Sequence, residues 1–492
     1  MDTPDFIERT HKATEWGRSL GTGPYPSGFA DAAPIGSVAA QPEGARVCTA
    51  GRVMRLREMG RIAFGDLMDA SGTLQFSLDP SRLGEAFAPV LRLLDLGDIV
   101  GIDGELYRTR HGELTVGVSH IALLAKALRP LPEKWHGLVD PELQLRDRTL
   151  DLIAHEDVRQ RFVRRAAMVR AIRATLDEAG FLEVETPILQ AAASGAAARP
   201  FTTHHHALDI DLHLRVAPET YLKRVVAGGF DRVYELGRNF RNEGLDPTHL
   251  QEFTMLEFYA AYWDCEASIP FIEDLVRRAV HATKGNCTIE VDGTSFDLAR
   301  PWRRVDYFEL FEQGTGIDLR VAGDVATLAE AAARRGLEVG ADAARTYGTL
   351  VDALYKRCCR PRLVAPTLLM DPPVGLAPLA RRSDLQPRRL EMYQLAVGGV
   401  EIVKAYGELV DPVEQRMRLL EQAREHERGD PEAMMMDEPF LRAMEHAMPP
   451  MTGVGLGIDR LAMLALGTRS IRDVVLFPAL RPHPEPREAG AG

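Results

Sequence analysis

The 492-residue sequence has only five cysteines, Cys48, Cys265, Cys287, Cys358 and Cys359, and no CxxC pair. An odd, scattered set argues against a disulfide framework or a cysteine zinc cage and predicts a reducing, cytoplasmic setting. No apolar run reaches the length of a membrane span, so no membrane partner is expected. Met1 to Arg18 lacks the basic-then-apolar order of a secretory leader. Positive charge is short as well: 59 Lys and Arg stand against 71 Asp and Glu, a net charge of −12. That argues against a protein that coats nucleic acid by charge alone, while leaving room for a local basic face. No internal repeat is present. With 45% hydrophobic residues the composition is globular, and the length calls for two or three domains.

Residues 1–44 carry the turn-rich run Gly21–Gly28 and read as an irregular lead-in. Over 45–129 the pattern is that of strands. Leu74, Phe76 and Leu78 alternate with Thr73, Gln75 and Ser77, after a turn at Asp69–Gly72. A second turn is expected at Arg110–Gly112. Several short strands in so few residues predict a small β-barrel of the OB type. Residues 130–150 read as a linker. Phe162, Val169, Ile172 and Leu176 then mark one face of a helix that Gly180 stops. Strands and helices mix from there on, and 483–492 reads as a disordered tail.

Three segments carry chemistry. In the first, Arg241 and Glu243 precede His249 and the run Glu252–Tyr259. On a strand, Phe253, Met255, Glu257 and Tyr259 share one face, while Thr254, Leu256 and Phe258 turn to a core. Arg241 and Glu243 are expected on the partner strand. An arginine that forks onto carboxylate or phosphate, an aromatic plate and a buried carboxylate suit a nucleotide plus an ammonium-bearing substrate. The second segment, Gly453–Arg460, alternates glycines along a strand and clears one face for a flat ligand, with Arg460 opening a helix. The third, Gly398–Ile402 continuing to Glu408, places two carboxylates where they could hold magnesium or a cation. His204, His205 and His206 are adjacent, point to alternate faces of a strand and cannot all ligate one ion.

Together these segments resemble the three signature motifs of class II aminoacyl-tRNA synthetases. Gly180–Pro187 is similar to the first motif, Arg241–Tyr259 to the second and Gly453–Arg460 to the third. Within the class the resemblance is to lysyl-tRNA synthetases, through Gly195–Phe201, Ala217–Glu219, Tyr221–Arg224, Ile471–Val474 and Lys126–Pro132. It implies an α+β protein: an anticodon-binding OB barrel, then a catalytic domain over 151–482. That domain would be an antiparallel sheet flanked by helices, partly insertion over 290–375. It implies a homodimer that uses ATP, L-lysine, magnesium and tRNA(Lys). Arg241, Arg460 and Glu401 would be catalytic. Arg241, Glu243, His249, Phe253, Glu401 and Arg460 would bind ATP. Gly195, Glu219, Arg241, Glu257, Tyr259 and Glu408 would bind lysine. Glu401 would hold the metal, and Phe64 and Gln75 would read the anticodon.

The chain departs from the family pattern in one cluster. Gln394 stands where a second metal-binding glutamate is expected, and an amide is a weaker magnesium ligand than a carboxylate. The family run Gly-Asn-Gly-Phe-Ser-Glu reads Val403–Glu408, which alters Lys404, Tyr406 and Gly407. Lys404 is expected to replace part of a magnesium ion's charge. His120 replaces a glutamate near the third anticodon base, Ala377 replaces a serine, and Met370–Pro373 replaces Thr-Asp-Tyr-Pro. Two other functions stay open on these changes: a paralogue that activates a lysine-like amino acid or confers inhibitor resistance, and a non-catalytic tRNA-binding protein.

Overall fold

The computed structural model describes residues 3–21, 23–131, 140–340, 345–428, 430 and 432–482. The chain divides into two compact units, Met1–Val139 and Asp140–Gly492. No helix among the described residues is long and apolar enough to cross a membrane.

In the first unit, β1 (Arg46–Met59), β2 (Ile62–Met68), β3 (Thr73–Leu78), β4 (Ile99–Arg108) and β5 (Leu114–Ala125) close a barrel in the order β1-β2-β3-β5-β4. The pair β3–β5 is parallel and the other pairs are antiparallel. Period-two alternation fills the interior: Ala63, Leu67, Leu74, Phe76 and Leu78 are buried. The expected turn before β3 forms because the Asp69 carboxylate accepts from the backbone N–H of Ser71 (2.7 Å) and Gly72 (3.0 Å).

The lead-in is not irregular. Pro4–Leu20 is a helix with Thr3 as N-cap and left-handed Gly21 as its stop. Trp16 is fully buried within the barrel's apolar cluster, as are Ile35 and Val38 of the short helix Ile35–Ala39. An indole buried in this way contributes about 3 kcal/mol, enough to hold the helix against the barrel.

The second unit is built on an eight-stranded sheet. Its strands are β6 (Leu182–Glu183), β7 (Arg232–Phe240), β8 (Glu252–Ala261), β9 (Arg303–Asp306), β10 (Thr367–Met370), β11 (Met392–Val397), β12 (Val400–Gly407) and β13 (Met451–Gly457). Their order is β9-β10-β11-β12-β13-β8-β7-β6. The antiparallel sheet expected is in fact mixed, since each edge strand, β6 and β9, runs parallel to its neighbour. Helices Glu156–Glu178, Cys265–Lys284 and Ile458–Leu466 cover one face. There Met168, Ile172, Leu176, Ile272, Val276 and Leu461 pack on Leu256, Phe258, Val403 and Val454. Gly180, at φ 77°, follows the first of these helices.

Within 307–340 and 345–363 a separate apolar cluster forms around Phe308, Phe311, Leu350 and Leu354, and it reaches Leu369 and Ala396 of the sheet. The end of the expected linker is helical instead, as Pro141–Arg146 and Arg148–Ala154. A buried ion pair, Arg148–Asp151 at 2.6 Å, pins the second helix. Linker residues 132–139 and tail residues 483–492 lie outside the described residues.

Candidate active site

The sheet face away from helices Glu156–Glu178 and Cys265–Lys284 carries a cavity of about 270 Å³. Its floor is a grid set by strand register. Tyr406, Gly453 and Tyr259 form one row across β12, β13 and β8; Lys404, Gly455 and Glu257 form the next. Then come Gly457 and Met255, and beyond them Phe253. The glycines are required by close approach. A Cβ on Gly453 would lie 2.0 Å from Glu408 Oε1 and 2.4 Å from Tyr259 Cε1, and one on Gly455 would lie 2.5 Å from Met255 Cε. Side chains there would fill the floor.

A β-bulge sets which residues of β12 face the cavity. Leu395 pairs with Val403 and the adjacent Ala396 with Glu401, so Ile402 is an extra residue. Past the bulge, Val403 and Ala405 join the core while Lys404 and Tyr406 line the cavity; before it, Glu401 lines the cavity too. Simple alternation would have put Glu401 on the face of Val403.

One end of the cavity is acidic and buried. Glu219 begins the helix Glu219–Ala227, and Lys223 lies one turn later on the same face. Lys223 is fully buried, its Nζ 2.6 Å from Glu219 Oε1 and in contact with Glu408 Oε2. The Lys223 ammonium also sits over the rings of Tyr406 (5.6 Å) and Phe440 (5.8 Å). Tyr406 donates to Glu219 Oε1 at 2.6 Å, and Tyr259 donates to Glu257 Oε2 at 3.1 Å. Burial, reinforced by the negative charge of Glu219, pushes the Glu257 carboxyl up to about 8. Burial also raises Glu408, against the pull of Lys223.

The other end is cationic. Arg241 Cζ lies 5.1 Å above the Phe253 ring. Arg460 donates to the Glu401 carbonyl (3.0 Å) and from Nη2 to His249 Nε2 (2.7 Å). Arginine only donates, so His249 Nε2 accepts and Nδ1 carries the hydrogen, directed at Asp246 Oδ2 2.7 Å away. Asp459, buried beside Arg460, accepts from the Thr254 N–H (2.7 Å) and from Arg165 (2.5 Å), which locks the helix Ile458–Leu466 to β8.

A family model for class II tRNA synthetases (D, K and N) matches residues 140–481, and one for the OB-fold nucleic acid binding domain matches 47–124. The lysine–tRNA ligase of Moorella thermoacetica is 42% identical over 479 residues, 97% of each chain. That of Syntrophomonas wolfei is 44% identical over 440 residues, 89% of each chain. That of Aquifex aeolicus is 45% identical over 445 residues, 90% of this chain and 74% of its own. The chain belongs to the lysine–tRNA ligase family of class II synthetases.

The cavity gathers most residues that the sequence singled out. Gly195, Glu219, Arg241, Glu243, His249, Phe253, Glu257, Tyr259, Glu401, Lys404, Tyr406 and Arg460 all line it. Three do not. Glu408 is fully buried, its carboxylate over Gly453 and against Lys223, Gln394 faces Lys404 across the hairpin, and Gly407 is buried at the end of β12. Arg241 and Glu243 follow β7, which ends at Phe240, rather than lying on it; Arg241 is held by its N–H to the Gln251 carbonyl (2.8 Å). His204 is on an exposed strand, paired with Asp211 (2.8 Å) and Asp209 (3.3 Å).

Magnesium has one uncommitted protein carboxylate on β12. No group of three or more His, Cys, Asp and Glu side chains is arranged as a metal cage among the described residues. Glu401 lines the cavity near Arg460, whereas Gln394 and Lys404 offer an amide and an ammonium. Of that set only Glu401 brings a carboxylate that would hold a divalent ion.

On the barrel, Phe64 and Gln75 lie on the outer face of β2 and β3, opposite Ser77 and Asp66 respectively. Thr115 donates to Gln75 Oε1 (2.7 Å), which orients the amide N–H₂ away from it. His120 lies 3.2 Å from Asp103 on an exposed part of β5. Sequence reasoning assigned no role to Lys223 or Asp459. The Glu219–Lys223 spacing of four on a helix was the available signal for the first; Asp459 has no local one.

Proposed function

We propose that the chain activates L-lysine with ATP and transfers it to tRNA(Lys) for protein synthesis. The observation that carries this reading is the polarity of one cavity. A buried acidic end, Glu219 and Glu257 with Glu408 beside them, adjoins a cationic end, Arg241 and Arg460 with an aromatic plate at Phe253. A dicationic amino acid suits the first and a nucleoside triphosphate the second.

In this reading Gly195 and Glu219 receive the α-amino group, and Glu257 and Tyr259 the ε-ammonium. Glu408, over Gly453 beside Tyr259 and paired with Lys223, joins them at the ε-ammonium. Phe253 stacks under adenine, with Glu243 and His249 along the nucleotide. Arg241 bridges the amino-acid carboxylate and the α-phosphate. Arg460, oriented by His249 and the Glu401 carbonyl, meets the terminal phosphate. The carboxylate oxygen attacks the α-phosphorus and pyrophosphate leaves, giving lysyl-adenylate. A terminal ribose hydroxyl of tRNA then attacks the activated carbonyl and AMP leaves. Positioning and charge neutralisation supply the rate, so no side-chain nucleophile is needed. Glu401 would hold a magnesium ion that comes with ATP, which would add to the neutralisation of the phosphates.

Phe64 stacks on the central anticodon base and the free Gln75 N–H₂ donates to its edge. Exposed Leu182, Ile188 and Leu189 around the first motif support a homodimer. The setting is cytoplasmic.

The test is charging of tRNA(Lys) with labelled lysine. Robust charging is expected. Failure, with ATP–pyrophosphate exchange dependent on another amino acid, would replace lysine by a lysine-like substrate. That outcome is favoured specifically by Tyr406, whose hydroxyl occupies the Glu219 carboxylate.

A further inference from the structure

Three side-chain cations line the cavity outside the acidic end: Arg241, Arg460 and Lys404. Two are held in place. Arg460 donates to the carbonyls of Thr248 and Glu401 and to His249 Nε2, and Arg241 lies over Phe253. Lys404 differs from both. It is half-buried, and no carboxylate or hydrogen-bond acceptor among the described residues partners its Nζ. An ammonium without a direct partner, in a cavity that two guanidinium groups also line, gains most from a polyanion.

Its position says which part of the polyanion. On the floor grid, the row of Tyr406, Gly453 and Tyr259 lies on the amino-acid side of Lys404. Glu401 and the contact of Arg460 lie on the other side, past the bulge. Gly455 separates Lys404 from Glu257 and has no side chain to block the space between them. Lys404 therefore stands between the Tyr406–Tyr259 row and the Arg460 contact, level with Glu257 across Gly455. Across the hairpin its partner is Gln394, which brings no negative charge.

We propose that Lys404 is a substrate-contacting residue, a fixed cation at the carboxylate–α-phosphate junction. It replaces the charge of a divalent ion that the Gln394 position cannot anchor, so ATP binding here survives removal of magnesium. This rests on the lysine-and-ATP reading above.

The experiment is calorimetric titration of the full chain with ATP, in magnesium and in EDTA, for the wild type, Lys404→Met and Lys404→Arg. Wild type is expected to bind in EDTA within about tenfold of its affinity in magnesium. Lys404→Met should lose a further tenfold or more in EDTA, about the worth of one charge-assisted hydrogen bond. In magnesium it should lose about threefold or less, because the ion screens the same charge. Lys404→Arg should retain metal-free binding. Equal losses for wild type and Lys404→Met on removing magnesium would overturn the proposal. So would a wild type that binds in magnesium and not in EDTA, an outcome that needs no variant to fold. A wild type that fails to bind ATP even in magnesium would instead overturn the reading of the site.

Discussion

At the acidic end of the cavity a buried cation already answers two of the three carboxylates, and at the nucleotide end Lys404 has no such partner. Lys223 is wholly enclosed between Glu219 and Glu408, with two rings against it. Lys404, two residues from the Tyr406 that caps Glu219, has no partner at all among the described residues. The contrast follows from burial. Three carboxylates in a water-poor floor would repel one another strongly, so the fold must supply a counter-ion of its own. The nucleotide end is wetter and receives an anion carrying several charges, so unpaired cations there are tolerable until it arrives.

Breaking the matched end should have the largest effect. Lys223→Met leaves Glu219 and Glu408 uncompensated and should destabilise the chain by about 3–5 kcal/mol, read by urea denaturation. A loss under 1 kcal/mol would mean that the two carboxylates share a proton and need no lysine. At the unmatched end, Arg241→Ala should leave the melting temperature unchanged and lower ATP–pyrophosphate exchange by about 10²–10³-fold. An equal fall in stability would show Arg241 to be structural.

The third effect is on pH. Glu257 is pushed up to about 8 by burial and by Glu219, with Lys223, Arg241 and Tyr259 opposing. Below that pH the free site holds a protonated carboxyl that an incoming ammonium must discharge. The KM for lysine should therefore fall as pH rises from 6 to 8, by about tenfold per unit, and level off above. Glu257→Gln should flatten that profile, and an unchanged slope in the variant would assign the proton elsewhere. The smallest effect is expected at Tyr406→Phe, which removes one donor to Glu219. It should raise the KM for lysine by about three- to tenfold and leave that for ATP unchanged. A lower KM instead would show that the hydroxyl competes with the substrate for Glu219.

The parts of this arrangement legible in the sequence are those written by local period. The alternation of Phe253, Met255, Glu257 and Tyr259 against Leu256 and Phe258 is visible because a strand repeats every two residues. The glycines of Gly453–Gly457 and the helix start at Arg460 are visible for similar reasons. The helix Pro4–Leu20 was hidden by the turn-rich run that follows it, although Thr3 and Pro4 give it a proper start. The parallel edge strand β9 could not be read, because partners far apart in sequence decide it. Nor could the pairing of Glu408 with Lys223, which depends on where Lys223 lands once the helix Glu219–Ala227 packs.

Ile402 has a consequence for how this gene can change. Between Glu401 and Lys404 the strand is read in a shifted frame, so length there matters more than identity. Removal of a single codon would turn Lys404 and Tyr406 toward the helices and bring Val403 and Ala405 to the ligands. Substitutions along the hairpin can accumulate, as at Gln394, Lys404 and Tyr406. An insertion or deletion would exchange lining for core in one step.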